Sequence, residues 1–166
     1  MKYFFSFLFF ISFFFNYSSI IAQPNKDLAK KHFLKYLDSK THIDLLVNCL
    51  PTKKETKYVM SFNSEKMDRH VEALKSNLMK SSGGNSEVFV DCRINTFTAT
   101  DIRKNKGNYA GGMTKVKDCL PPVITFYKVT FLRTPDDGSN PGYSFKYFFY
   151  KNDRWIFLPK PWRAIR

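Results

Sequence analysis

The sequence predicts an α+β fold, with N-terminal helices packed on a curved, four-stranded antiparallel meander. Three observations predict it. Apolar residues recur at helical spacing in every segment before Gly83-Gly84, the period then changes to two, and the last three apolar runs are joined by short turns. Turns that short force antiparallel neighbours, and helices segregated from such a sheet define the class.

Taken in order, Asn25 is placed to cap a helix over residues 25–37, with Ala29, Phe33, Tyr36 and Leu37 on one face. Thr41 opens a second, whose apolar side carries Ile43, Leu46, Val47 and Leu50 and which Pro51 ends. The run Thr52 to Glu55 has the form of a capping box, so a third helix follows with Tyr58, Val59 and Phe62. A fourth begins near Ser64, sets Met67, Val71, Leu74 and Leu78 on one stripe, and is stopped by Gly83-Gly84. Val88, Val90, Cys92 and Ile94 then alternate with Phe89, Asp91, Arg93 and Asn95 as a half-buried strand. The remaining strands are 123–134, 143–151 and the run starting at Arg154, with turn chemistry at 135–142 and at Asn152-Asp153. Both faces of the last two strands are apolar. Helices can cover only part of such a surface, so the remainder is expected to line a pocket, wrap around a helix in a curved sheet, or meet a second subunit as a homodimer.

The chain has 166 residues and opens with Lys2, an apolar run over residues 3–15 and a small residue, Ala22, at a plausible cleavage point. This is the pattern of a secretory signal peptide over residues 1–22, leaving a single domain over 23–166 with no membrane span. The expected location is secreted or periplasmic. Eight of the eighteen phenylalanines fall in that segment, so the composition of the whole chain overstates the core. Lys2 is its only charged residue, so a formal charge of +13 falls by one and the domain stays strongly basic.

That charge is unevenly placed. From Val123 onward eight basic residues face three acids, and all three acids lie in predicted turns. Acidic partners are therefore expected, either a protein or an envelope polymer. Lysines spread over a solvated surface would account for the composition equally well. The segment 101–122 lacks clear periodicity and carries five basic residues, Lys115 among them, around Tyr109 and Gly111-Gly112. A loop of this length either holds an anionic group or is a solvated flexible loop with one helical turn from Met113 to Lys117. At the C terminus, Trp155 reads as core and Trp162 as a lid over the open end of that core, while Pro159 and Pro161 end the last strand and Lys160 points to solvent. The residues proposed to engage the partner are Lys146, Arg154, Lys160, Trp162, Arg163, Tyr109 and Lys115.

No catalytic constellation is found. The histidines His32, His42 and His70 are read as ordinary solvated helix residues, and no two ligating side chains have metal spacing. There is no HExxH, CxxC, phosphate-cradling glycine loop or nucleophile elbow, so nothing calls for a cofactor or a metal. Asp91 has Arg93 on its own face as an ion-pair partner. Three cysteines in an exported protein allow one bridge, or all three serve equally well as buried small hydrophobes; if a bridge forms, Cys49 with Cys92 is the expected pair, because both lie on apolar faces that must meet.

Helices followed by a sheet whose last strand reads aromatic-x-aromatic, here RWIF, resemble the nuclear-transport-factor-like, cystatin-like cone superfamily. The GGM at Gly111 to Met113 and the PKPW at Pro159 to Trp162 are similar to small secreted members found in Bacteroidetes-type bacteria. The resemblance implies a cone over residues 25–163, and members include enzymes, ligand binders and interaction modules, so it leaves activity open. Two readings stand side by side. One is a non-enzymatic secreted or periplasmic binding module that engages an acidic partner through a basic, aromatic-rich sheet and loop; the other is a cone-fold enzyme acting on a small molecule in an apolar pocket. Nucleic acid is an unlikely partner, although KYFFYKNDRW interleaves aromatic and basic residues as single-strand binders do.

Overall fold

The computed structural model describes residues 23–80, 87–107, 109–134 and 142–165. The expected signal segment, the Gly83-Gly84 helix stop and most of the 135–142 turn lie outside these residues. Within them the chain runs α1 (Lys26–Phe33), α2 (His42–Asn48), α3 (Lys53–Val59), α4 (Ser64–Lys80), β1 (Asp91–Thr98), α5 (Ala99–Arg103), β2 (Thr125–Leu132), β3 (Tyr143–Lys151) and β4 (Arg154–Phe157). The sheet order is β1-β2-β3-β4, antiparallel throughout. Mixed helix and strand with the helices first is the fold class the sequence predicts.

Local signals act where they were read. The Asn25 side chain accepts from the Leu28 amide at 2.9 Å and starts α1. The Thr52–Glu55 capping box is formed, with the Thr52 amide donating to Glu55 at 2.7 Å. A second box, Thr98 with Asp101, starts α5, which runs into the stretch that showed no periodicity. Asn152 and Asp153, at φ 51° and 57°, make the tight turn between β3 and β4. Two positive-φ residues in a row give the hairpin twist that the strands need.

Helical elements pack on both apolar sheet faces, where the sequence predicts only partial cover. α1 and α2 seal one face with Phe33 and Leu45 against Tyr127, Phe131, Phe148 and Trp155. On the other, Met67 and Val71 of α4, with Met113 of a short 3-10 helix, meet Phe126, Phe149 and Ile156. A sheet buried twice carries near-continuous apolar strands.

Several details differ from expectation. Phe62 is 83% exposed, because α3 ends at Val59 and the chain turns before it can face the core. In α2, Leu45 and His42 take the buried positions expected of Ile43 and Val47. Val88 and Val90 are exposed while Phe89 is buried, so the alternation shifts by one before β1. The cause is a different partner: Val88 bridges Asp38 and the Phe89 amide donates to the Leu37 carbonyl at 2.8 Å, so this stretch pairs first with the helical half and meets β2 only at Val90, whose amide donates to the Leu132 carbonyl at 2.9 Å.

The expected Cys49–Cys92 bridge is not formed, and Cys49, Cys92 and Cys119 are thiols. Both Cys49 and Cys92 are buried in one core, but they attach to opposite edges of the sheet. Cys49 accepts from the Phe157 amide of β4 at 2.6 Å, whereas Cys92 lies on β1. Three strand spacings separate these edges, roughly 14 Å laid flat. A disulfide needs Cα atoms within about 7 Å. Burial instead pushes each thiol up to about 11.

Candidate functional site

The site is made by where β4 stops. β4 pairs with β3 only over Phe148 to Lys151, and the next contact is the Leu158 amide donating to the Tyr147 carbonyl at 3.0 Å. Pro159 then carries the chain off the strand, and a 3-10 helix follows over Pro161–Ile165. Half of β3 is left with β2 on one side and no strand on the other. There β3 is bulged: Tyr127 pairs with Phe148 and Val129 with Phe145, so Lys146 and Tyr147 both oppose Lys128. Tyr147 takes φ 74°, and Lys160 takes φ 41° at the exit from the strand. Non-glycine residues hold such angles at a cost of order 1–3 kcal/mol each and cluster at functional sites.

Between this open edge and α4 lies a cavity of about 470 Å³. All five consecutive residues from Tyr143 to Tyr147 line it, which places the edge of the strand, not one face, against the cavity. The opposite wall is α4, through His70, Leu74 and Leu78, and Phe157 and Leu46 add to the apolar floor. Lys160, Trp162 and Arg163 close one end. The walls at Leu46, Leu78, Tyr143 and Phe145 are shared with an adjoining cavity of about 300 Å³ that runs toward Glu87, so the two make a continuous groove.

Trp162 is held in place as a lid. Its indole lies so close to Gly112 that a Cβ there would sit 2.3 Å from the ring, so glycine is required. It meets Tyr147 edge-on at 5.7 Å, and the Tyr147 hydroxyl accepts from the Ala110 amide at 2.9 Å. The GGM and PKPW segments are therefore packed together.

The cavity rim is cationic. Lys146, Lys160 and Arg163 line it, and no carboxylate does among the described residues. Lys146 also adjoins Lys128, whose amine is held below its ordinary value by burial first and then by Lys146 and Arg93. His70 is kept neutral to lower pH by burial, with Arg163 and Lys160 adding repulsion against a pull from the Pro159 carbonyl. Its Nε2 is buried with no hydrogen-bond partner. An anion seated here would meet three cations and no competing acid.

Four of the seven residues expected to engage a partner thus meet in one groove: Lys146, Lys160, Trp162 and Arg163. The other three sit elsewhere. The Arg154 guanidinium clasps Glu55 at 3.3 Å and donates to the Asn48 and Leu50 carbonyls at 3.0 Å, tying β4 to α2 and α3. Tyr109 packs on Phe97 and donates to the Ile102 carbonyl at 3.2 Å. Lys115 is exposed on the outer side of the Gly111–Val116 3-10 helix, whose Met113 and Val116 are fully buried. Asp91 takes Lys30, at 2.8 Å, as its ion partner. Sequence reasoning missed His70, Tyr143 and Tyr147 as groove residues. The spacing of His70 with Leu74 on one helix face was the available signal for the first; nothing local marks the bulge.

Comparison with known proteins finds no matching protein family, no matching curated protein and no matching solved structure.

Proposed function

We propose that this protein is a non-enzymatic binding module that seats an acidic partner in the groove between β3, α4 and the C-terminal segment. The observation that carries the reading is the convergence of Lys146, Lys160 and Arg163 on an apolar, aromatic-floored cavity whose described lining holds no carboxylate. Cations so placed select anionic groups, and the apolar floor at Phe157, Leu46 and Leu74 supplies contact area. The N-terminal pattern of residues 1–22 supports placing the module outside the cytoplasm, where the partner is an acidic protein or an envelope polymer.

The test is a panel of heparin fragments, lipopolysaccharide and single-stranded DNA titrated from low to high salt against wild type and the Lys160→Gln/Arg163→Gln double variant. Binding to an acidic ligand is expected at low salt, falling steeply as ionic strength rises and at least about tenfold in the double variant, because exposed charges are screened beyond about 8 Å. Binding that ignores both salt and the double substitution removes the proposal.

A further inference from the structure

Strand β3 has an unfinished ladder. No hydrogen bond outside its pairing with β2 reaches the backbone of Tyr143 to Lys146 among the described residues. The direction of these groups follows from the pairing. Phe157 donates away from β3, to the Cys49 carbonyl, so Phe148↔Phe157 is a pair without mutual hydrogen bonds and Phe148 turns its amide toward Tyr127. Alternation along β2 then turns Val129 toward Phe145 and leaves Ser144 with its amide and carbonyl toward the groove. The Ser144 hydroxyl contact with Thr130, at 2.8 Å, fits the close approach of such a pair.

We infer that a short extended acidic segment of a partner protein adds as a strand to the open edge of β3, continuing the sheet where β4 leaves it. The inference rests on the binding role proposed above and names its partner. Strand addition satisfies main-chain groups that an acyl chain or a saccharide leaves to water, and side-chain pockets then confer selectivity. The edge from Tyr143 to Tyr147 takes about five residues at a rise of roughly 3.4 Å each. Lys146, Lys160 and Arg163 favour carboxylates on the incoming segment, while Leu74, Leu78 and Tyr143 favour apolar side chains between them. A second copy of this chain is disfavoured as the occupant, since edge-to-edge pairing brings two sets of these cations together.

The probe is a blocked heptapeptide alternating glutamate with valine, compared with a fully N-methylated version of equal charge, a heparin fragment and dodecyl phosphate. The readouts are affinity, hydrogen exchange at the Ser144 amide and the sedimentation mass of the protein. The heptapeptide is expected to bind, to slow exchange at Ser144, and to lose at least about tenfold in affinity on N-methylation and again with Lys160→Gln/Arg163→Gln, with the protein alone remaining monomeric. Equal affinity of the methylated peptide overturns strand addition. So does tight dodecyl phosphate binding with no peptide binding, which assigns the groove to amphiphiles, or a dimer whose formation protects Ser144. Heparin binding that depends on Lys160 and Arg163 while the peptide fails keeps the acidic-partner reading and removes only this inference; indifference of every ligand to the double substitution removes both.

Discussion

At the scale of residues, the two tryptophans divide the work. Trp155 is 6% exposed and is enclosed by rings of His32, Phe33, Tyr127 and Tyr150, with Tyr127 edge-on at 4.8 Å. Trp155→Ala is expected to cost about 3–5 kcal/mol, the range for deleting a buried aromatic. Trp162 is only half-buried and closes a groove, so Trp162→Ala costs less, and a smaller shift in denaturant midpoint is the check. Equal small shifts contradict this division. Gly112→Ala drives a methyl into the Trp162 indole. It is expected to weaken ligand binding more than it lowers the melting temperature, measured side by side. Trp155, Trp162 and Lys160 were legible from a strand followed by Pro-x-Pro. Arg154 was not, because its partner Glu55 is 99 residues away and pairing over that span leaves no local trace. The histidines failed for the same reason: His42 is 7% exposed, its Nε2 is bonded to the Tyr36 carbonyl, and Phe89, from the stretch before β1, and Phe131 of β2 flank its ring.

Among the elements, those with short-range chemistry were readable and those defined by their neighbours were not. The α3 capping box, the Asn25 cap and the span of β3 follow from local sequence. The start of β1 was misread because Phe89 answers to Leu37 and not to β2. The segment 101–122 looked like loop, yet its Ile102, Met113 and Val116 are fully buried in a helix and a 3-10 helix too short to show a period. The β3 bulge has no sequence signature, since an aromatic residue at φ 74° is held there by its surroundings. Glu55 shows how one side chain joins elements: it is 4% exposed, caps α3, and receives Arg154 from β4. Glu55→Ala removes the Glu55 side of the capping box and leaves Arg154 without its carboxylate, and a loss of about 2–4 kcal/mol in chemical denaturation is expected. Thr52→Ala, which removes the two hydroxyl bonds with Glu55 and leaves the Arg154 pair in place, should cost about 1 kcal/mol. Equal costs for the two would show that Arg154 adds nothing.

For the whole molecule, charge and protonation set the response to conditions. Burial holds His32, His42 and His70 below their ordinary value of 6.5, so the fold prefers the neutral rings. The unfolded chain takes up these protons as pH falls through 6.5, and stability is therefore complete above that pH and declines beneath it. Three acids are also held below their ordinary values. The Arg133 bond lowers Glu87, the Thr98 amide lowers Asp101, and the bonds from Lys30 and the Cys92 amide lower Asp91 against its burial. Their stabilisation is present above the unfolded carboxylate range and is lost only below about pH 4.5. The melting temperature should be level from pH 8 to 7 and already falling by pH 5.5; a level curve down to pH 5 contradicts the histidine assignment. The central claim concerns one groove, and the amide shift map of the protein titrated with the glutamate–valine heptapeptide tests it most directly. Shifts are expected to concentrate at His70, at Tyr143 to Tyr147 and at Lys160 to Arg163. Shifts centred instead on the separate basic hollow at Lys54, Lys57 and Lys151 would contradict it.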